Sequence, residues 1–152
     1  MEVHIYIGTD SKAPRTQVRK YGYVLACTLK GKLKTKQEFK ETKGTYNRVT
    51  LEAITEAVAR VVKPSEIHIH TENAFILTML EENLDKWEQN GYVTTKGEPV
   101  ANGDLWKQLK EKAGEHLLRY ENKSENKQER QHYHRQRLND EQWERNSAEQ
   151  TA

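Results

Sequence analysis

Cysteine occurs once, at Cys27, which excludes an internal disulfide framework. Long apolar runs are missing too: none approaches the roughly 20 residues a helix needs to cross a bilayer. The N-terminus lacks the charged, apolar and small-residue order of a secretory signal, so the expectation is a soluble cytoplasmic protein, monomeric by default. A net charge of +2, from 25 basic and 23 acidic residues, does not by itself announce a nucleic-acid binder. Apolar residues are only 34% of the 152 and mean hydropathy is -1.04, enough for one domain with a modest core. They are scarcest at the C-terminal end, where residues 121–152 hold just Tyr133, Leu138, Trp143, Ala148 and Ala152. A segment so poor in apolar surface cannot offset its ordering entropy unless it packs on something else. The core domain is therefore assigned to residues 1–121, and 122–152 is read as a polar, charged segment, helical or partly disordered.

Charge is distributed unevenly. Lys30, Lys32, Lys34, Lys36, Lys40 and Lys43 fall together against only Glu38 and Glu41. In an extended segment the first four share one face, the pattern of a protected edge strand; a phosphate-facing role is the alternative. "VHIYIGT" (3–9) and "YGYVLACTLK" (21–30) read as strands, and Gly31 between two lysines turns the chain into a third, "LKTKQEFKET" (33–42). Leu51, Ile54, Val58, Val61 and Val62 then recur at helical spacing, with Asn47 as a candidate N-cap and Pro64 as the stop. "EIHIHT" is a fourth strand, "FILTMLEENLDKW" a second helix, "LWKQLKEKA" a third capped by Asp104, "HLLRYE" (116–121) a fifth strand, and the tail from about 128 a last helix. The order β-β-β-α-β-α-α-β-α implies an α/β fold with a five-stranded mixed sheet.

Two runs echo each other: "IYIGTDS" and "IHIHTEN" each place one carboxylate, Asp10 or Glu72, just past a strand end. Together with "NRVTLEAI" and "WEQNGYVTTKGEPVANGDLWKQL" (87–109), they make residues 3–120 resemble ribonuclease H of the bacterial type I kind. The resemblance implies hydrolysis of the RNA strand of RNA/DNA hybrids by two Mg²⁺ ions about 4 Å apart, held by carboxylates from several elements. Asp10 falls on the family's first-strand Asp. The stretch "TYNR" places Thr50 where the family has its helix Glu. Glu52 is two residues on, about 200° around the helix, and a register that rescued it would turn the apolar stripe off its face. Glu72 stands in place of an Asp, its oxygens displaced by roughly one C–C bond length, which favours Mn²⁺ as an alternative to Mg²⁺. Asp140 resembles the last-helix acid, and His132 or His134 the loop His before it. Thr45, Asn47 and Asn102 match positions that hold phosphates and ribose hydroxyls, and Trp87 an aromatic lining the DNA-strand groove. Lys86 is offset by Asp85 and Glu88, which predicts weak hybrid affinity.

His68 and His70, like His132 and His134, form a His-x-His pair of the kind that can hold zinc, but neither pair has two further ligands at diagnostic spacing. They read as satisfied or solvent-facing histidines. Two functions therefore stand: a metal-dependent ribonuclease H-type hydrolase using Asp10, Glu72 and Asp140, or an inactive nucleic-acid or protein binding module of the same fold.

Overall fold

A computed structural model describes residues 1–120. Strands β1 (Glu2–Thr9), β2 (Gln17–Leu29), β3 (Lys32–Gly44), β4 (Glu66–His70) and β5 (Leu117–Tyr120) form one sheet in the order β3-β2-β1-β4-β5. The first three strands are an antiparallel meander; β4 lies parallel to β1 and β5 parallel to β4. Helices α1 (Tyr46–Ala59), α2 (Ala74–Glu82), α3 (Leu84–Gln89) and α4 (Gly103–Ala113) supply the crossovers. The mixed five-stranded sheet is as expected from the element order, and β3 is an edge strand on which Lys32, Lys34 and Lys36 are exposed.

Alternation sorts the strands into two faces. Val3, Ile5, Ile7, Tyr21, Tyr23, Ile67 and Ile69 join one buried cluster with Val49, Leu51, Ile54 and Val58 of α1 and Leu105, Trp106 and Leu109 of α4. Tyr6, Val24 and Ala26 form a separate cluster. Each Ile or Leu so buried contributes about 1.5–3 kcal/mol, so the stripe on α1 sets that helix's rotation about its own axis.

Four local expectations are corrected. The N-cap of α1 is Thr45, whose Oγ1 accepts from the Arg48 amide, rather than Asn47; the helix ends at Ala59, leaving Val62 in solvent. Asp104 does not cap α4: that position is Asn102, in left-handed conformation (φ 58°), and Asp104 lies in the first turn. The second helix is split at Asn83, which ends α2 and begins α3, because an asparagine competes poorly for helix interior and α3 redirects Leu84 into the core. The expected last helix lies outside the described residues.

Candidate active site

Parallel β1 and β4 end at the same sheet edge, the crevice where open α/β sheets bind ligands. Tyr6 pairs with His70, and continuing that register sets Glu72 level with Gly8, two residues short of Asp10. Asp10 is exposed, its amide donating to the Lys20 carbonyl at 3.0 Å. The loop behind it is held by Arg19, a fully buried guanidinium. Its Nε donates to Gly44 O and its Nη1 to Ser11 O, both at 2.9 Å, while Nη2 donates to Ala13 O and Arg15 O. One cation thus ties the Asp10 loop to the end of β3, directly before Thr45. Lys12, in that loop, reaches across to Glu72, with Nζ and Oε2 2.6 Å apart. Burial, and then the Glu72 charge, push the nearby Tyr46 phenol up to about 12.

Between these loops stands a neutral network. Thr50 is fully buried; its Oγ1 donates to the Tyr46 carbonyl at 2.8 Å and accepts from Asn73 Nδ2 at 3.1 Å. Asn73 Nδ2 also donates to Asn47 Oδ1 at 3.0 Å, and Asn73 Oδ1 accepts from the Ile76 amide, capping α2. The α1 residue that faces the end of β4 is therefore Thr50. Glu52 sits around the helix from it, 3.5 Å from Arg48 Nε and beside a cleft lined by Leu105, Gln108 and Lys112. Burial raises its carboxyl above the ordinary range; Arg48 opposes this, and Glu56 and Asp104 add to it.

Arg48 joins α1 to the start of α4. Its Nη1 and Nη2 donate to Asp104 Oδ1 and Oδ2 at 3.2 and 2.9 Å, and Nη1 also to Asn102 Oδ1 at 3.2 Å. Asn73 with Asn47, and Thr45 with Arg48 and Asn102, are two hydrogen-bonded groups that adjoin at the start of α1 and form a polar band leading away from the strand ends. Trp87 stands apart from it, half-buried against the core with its ring 5.4 Å from that of Trp106. Asp140, His132 and His134 lie outside the described residues.

Arg19, Lys12 and Asn73 were not singled out from the sequence. For Asn73 a signal existed, an Asn directly before the apolar "AFIL". For Arg19 it was weaker: a charge near the start of an otherwise apolar strand pattern.

With this architecture in place, comparison with known proteins is decisive on one point. The RNase H family model matches residues 2–122. The chain belongs to the RNase H family. A ribonuclease H of Caldicellulosiruptor saccharolyticus is 33% identical over 122 residues, covering 79% of this chain and 81% of that protein. Other matched stretches are shorter: the chain spans about half the length of the curated ribonuclease H relatives from Saccharopolyspora erythraea and Zymomonas mobilis, 50% and 44% respectively, at 35% and 38% identity. Among solved structures, LC9-RNase H1, a type 1 RNase H with the type 2 active-site motif, superposes with TM-score 0.64 at 15% identity, over 78% of this chain and 61% of that one. A foamy viral protease-reverse transcriptase in complex with RNA/DNA hybrid gives 0.62 at 17%, over 86% of this chain and 18% of that one. These two likenesses concern the fold.

The family generally uses divalent metal, and the described residues of this RNase H-family chain can be tested for fit. Two strand-end carboxylates are available, one of them already within 2.6 Å of an ammonium group. At Thr50, itself at zero exposure, the α1 residue is a hydroxyl that donates to one partner and accepts from another. A two-ion centre needs several converging carboxylates to balance its charge, and among the described residues that set does not fit.

Proposed function

We propose that this chain is an RNase H-like protein that binds RNA/DNA hybrids along the polar band of α1 and α4 and has lost most or all hydrolytic power. Thr50 carries the proposal: a neutral, fully engaged side chain faces the strand ends, and Glu52 is turned toward α4. An A-like hybrid is read by shape and by ribose hydroxyls, for which Thr45, Asn47 and Asn102 offer hydroxyl and amide groups and Arg48 a cation. Few free cations flank the band: Arg48 is paired with Asp104, and on α3 Lys86 is offset by Asp85 and Glu88. Affinity is then modest, and its dependence on salt is shallow, with a log–log slope no steeper than about -3.

A second reading, the Mg²⁺- or Mn²⁺-dependent hydrolase using Asp10, Glu72 and Asp140, has one observation in its favour. Asp10 and Glu72 follow neighbouring parallel strands at the same edge, both exposed. Incubation of the full chain with a labelled hybrid in each metal, beside Asp10→Asn, separates the two. Binding without cleavage is expected; cleavage by the unmodified chain that Asp10→Asn abolishes would overturn the proposal in favour of the hydrolase.

A further inference from the structure

Two of the histidines set aside in the sequence, His68 and His70, meet His4 in the fold. His4 of β1 is level with His68 of β4, and their rings stack with centroids 4.5 Å apart and planes 15° from parallel. Both present Nε2 to the same carboxylate: Glu2 Oε1 lies 2.7 Å from His4 Nε2 and 3.6 Å from His68 Nε2. One ligand atom from each of Glu2, His4 and His68 can be chosen so that all lie within 4.8 Å of one another. We propose that Glu2, His4 and His68 form a binding site for a borderline divalent cation of the zinc class, separate from the strand-end carboxylates.

Distances support the assignment. Zinc bonds to imidazole nitrogen and carboxylate oxygen of about 2.0–2.1 Å, at tetrahedral angles, set neighbouring ligand atoms roughly 3.3 Å apart. The observed 2.7 and 3.6 Å bracket that spacing, so side-chain adjustments suffice, with no change in strand register. Two imidazoles and one carboxylate are a donor set that zinc uses with an open fourth position, whereas Mg²⁺ prefers all-oxygen shells.

Support behind the ligands is also present. His4 Nδ1 lies 2.8 Å from His70 Nε2; without an ion His4 Nε2 donates to Glu2 Oε1 at 2.7 Å, and a cation replacing that proton is served by the tautomer in which His4 donates from Nδ1 to His70. A hydrogen bond of that kind fixes ring orientation in zinc sites. Glu66 Oε1 lies 3.4 Å from His68 Nε2 but is held by Arg119 Nε at 3.0 Å, which leaves the fourth position to water.

The cluster is remote from Asp10. His4 and Asp10 are six residues apart along an extended chain, roughly 20 Å. His4 also alternates with Val3 and Ile5, so it lies on the sheet face away from the main helix-packed core. A cation there ties the first strand to β4 and stabilises the fold by mass action.

Titration of the full chain with Co²⁺ reads the site directly, through the visible ligand-field absorption of a four-coordinate ion, followed by displacement with Zn²⁺. Stoichiometric binding is expected, weakened by at least ~10-fold in His4→Gln and His68→Gln, and by about 10–100-fold in His70→Asn, which removes the supporting bond and the ring stacked on His4 and Tyr6. Glu2→Gln, at an exposed position that does not threaten folding, is expected to weaken binding as well. Asp10→Asn and the pair His132→Gln, His134→Gln are expected to leave it unchanged. Absence of binding, or a signal that follows Asp10 or the two tail histidines instead of His4 and His68, overturns the proposal.

Discussion

Asn73 is the residue on which the strand-end network turns. Its Oδ1 caps α2 and its Nδ2 serves both Thr50 and Asn47, so truncation removes a cap and leaves two buried acceptors with one donor fewer. Asn73→Ala is expected to lower stability by about 2–3 kcal/mol in urea unfolding. Asn73→Asp keeps the cap but loses both donors and adds charge beside Glu72, so it is expected to fall between the two. If Asn73→Asp matches the native chain, the side-chain network contributes nothing beyond the cap. At this scale Asp10, Thr50 and Glu72 were legible because each is placed by a short run of neighbours. The bonds of Asn73 to Thr50 and Asn47 and of Arg19 to Gly44 were not, because those partners lie 23 to 26 residues away, although the Asn73 cap itself is local.

The β2–β3 hairpin shows how far an element can be read from its own residues. Lys30 and Gly31 form a two-residue connection with φ of 52° and 76°, and Leu29 pairs with Lys32 across it. Both central positions require left-handed backbone, which matches the twist of the flanking strands. Glycine adopts it freely, lysine at a cost. Lys30→Asn is therefore expected to stabilise the protein by about 0.5–1 kcal/mol, visible as a raised midpoint in thermal or urea unfolding, and no gain would mean that the turn is not limiting. Turn position, strand alternation and the stripe of α1 were legible because they depend on periodicity within one segment. The caps of α1 and α4 were misplaced by two residues, since several side chains near each helix start can cap and the choice depends on what else binds them. Arg48 takes Asp104, leaving Asn102 at the cap position in left-handed backbone.

Across the whole molecule, α1 and α4 meet through apolar contacts with a charged seam, and Glu52 is the costly member of that seam. Its folded carboxyl titrates above the 4.5 of the free group, chiefly through burial. The folded state thus retains the Glu52 proton where the unfolded chain has released it, and stability falls as pH rises through that window. Glu52→Gln is expected to equal the native chain near pH 4 and to be the more stable at pH 7, by an amount of the order of 0.5 kcal/mol in urea midpoints. A native chain more stable at pH 7 than the variant would show that the Arg48 attraction outweighs desolvation. Arg19 belongs to this scale as well, since one buried guanidinium holds the Asp10 loop against the end of β3. Loss of its donors strands four backbone carbonyls, which explains why a full charge persists at zero exposure.

The family, the mixed sheet, the rotation of α1 and the acids past β1 and β4 were readable before folding, because they follow from local periodicity and from motifs taken in order. What surrounds them depends on contacts between elements. Folding set Lys12 against Glu72, wired Thr50 to Asn73 and brought Glu2 and His4 beside His68. For Lys12 with Glu72 and for His4 with His68 the cause is parallel pairing of β1 with β4, which makes neighbours of residues sixty or more positions apart and leaves no periodic trace in either strand.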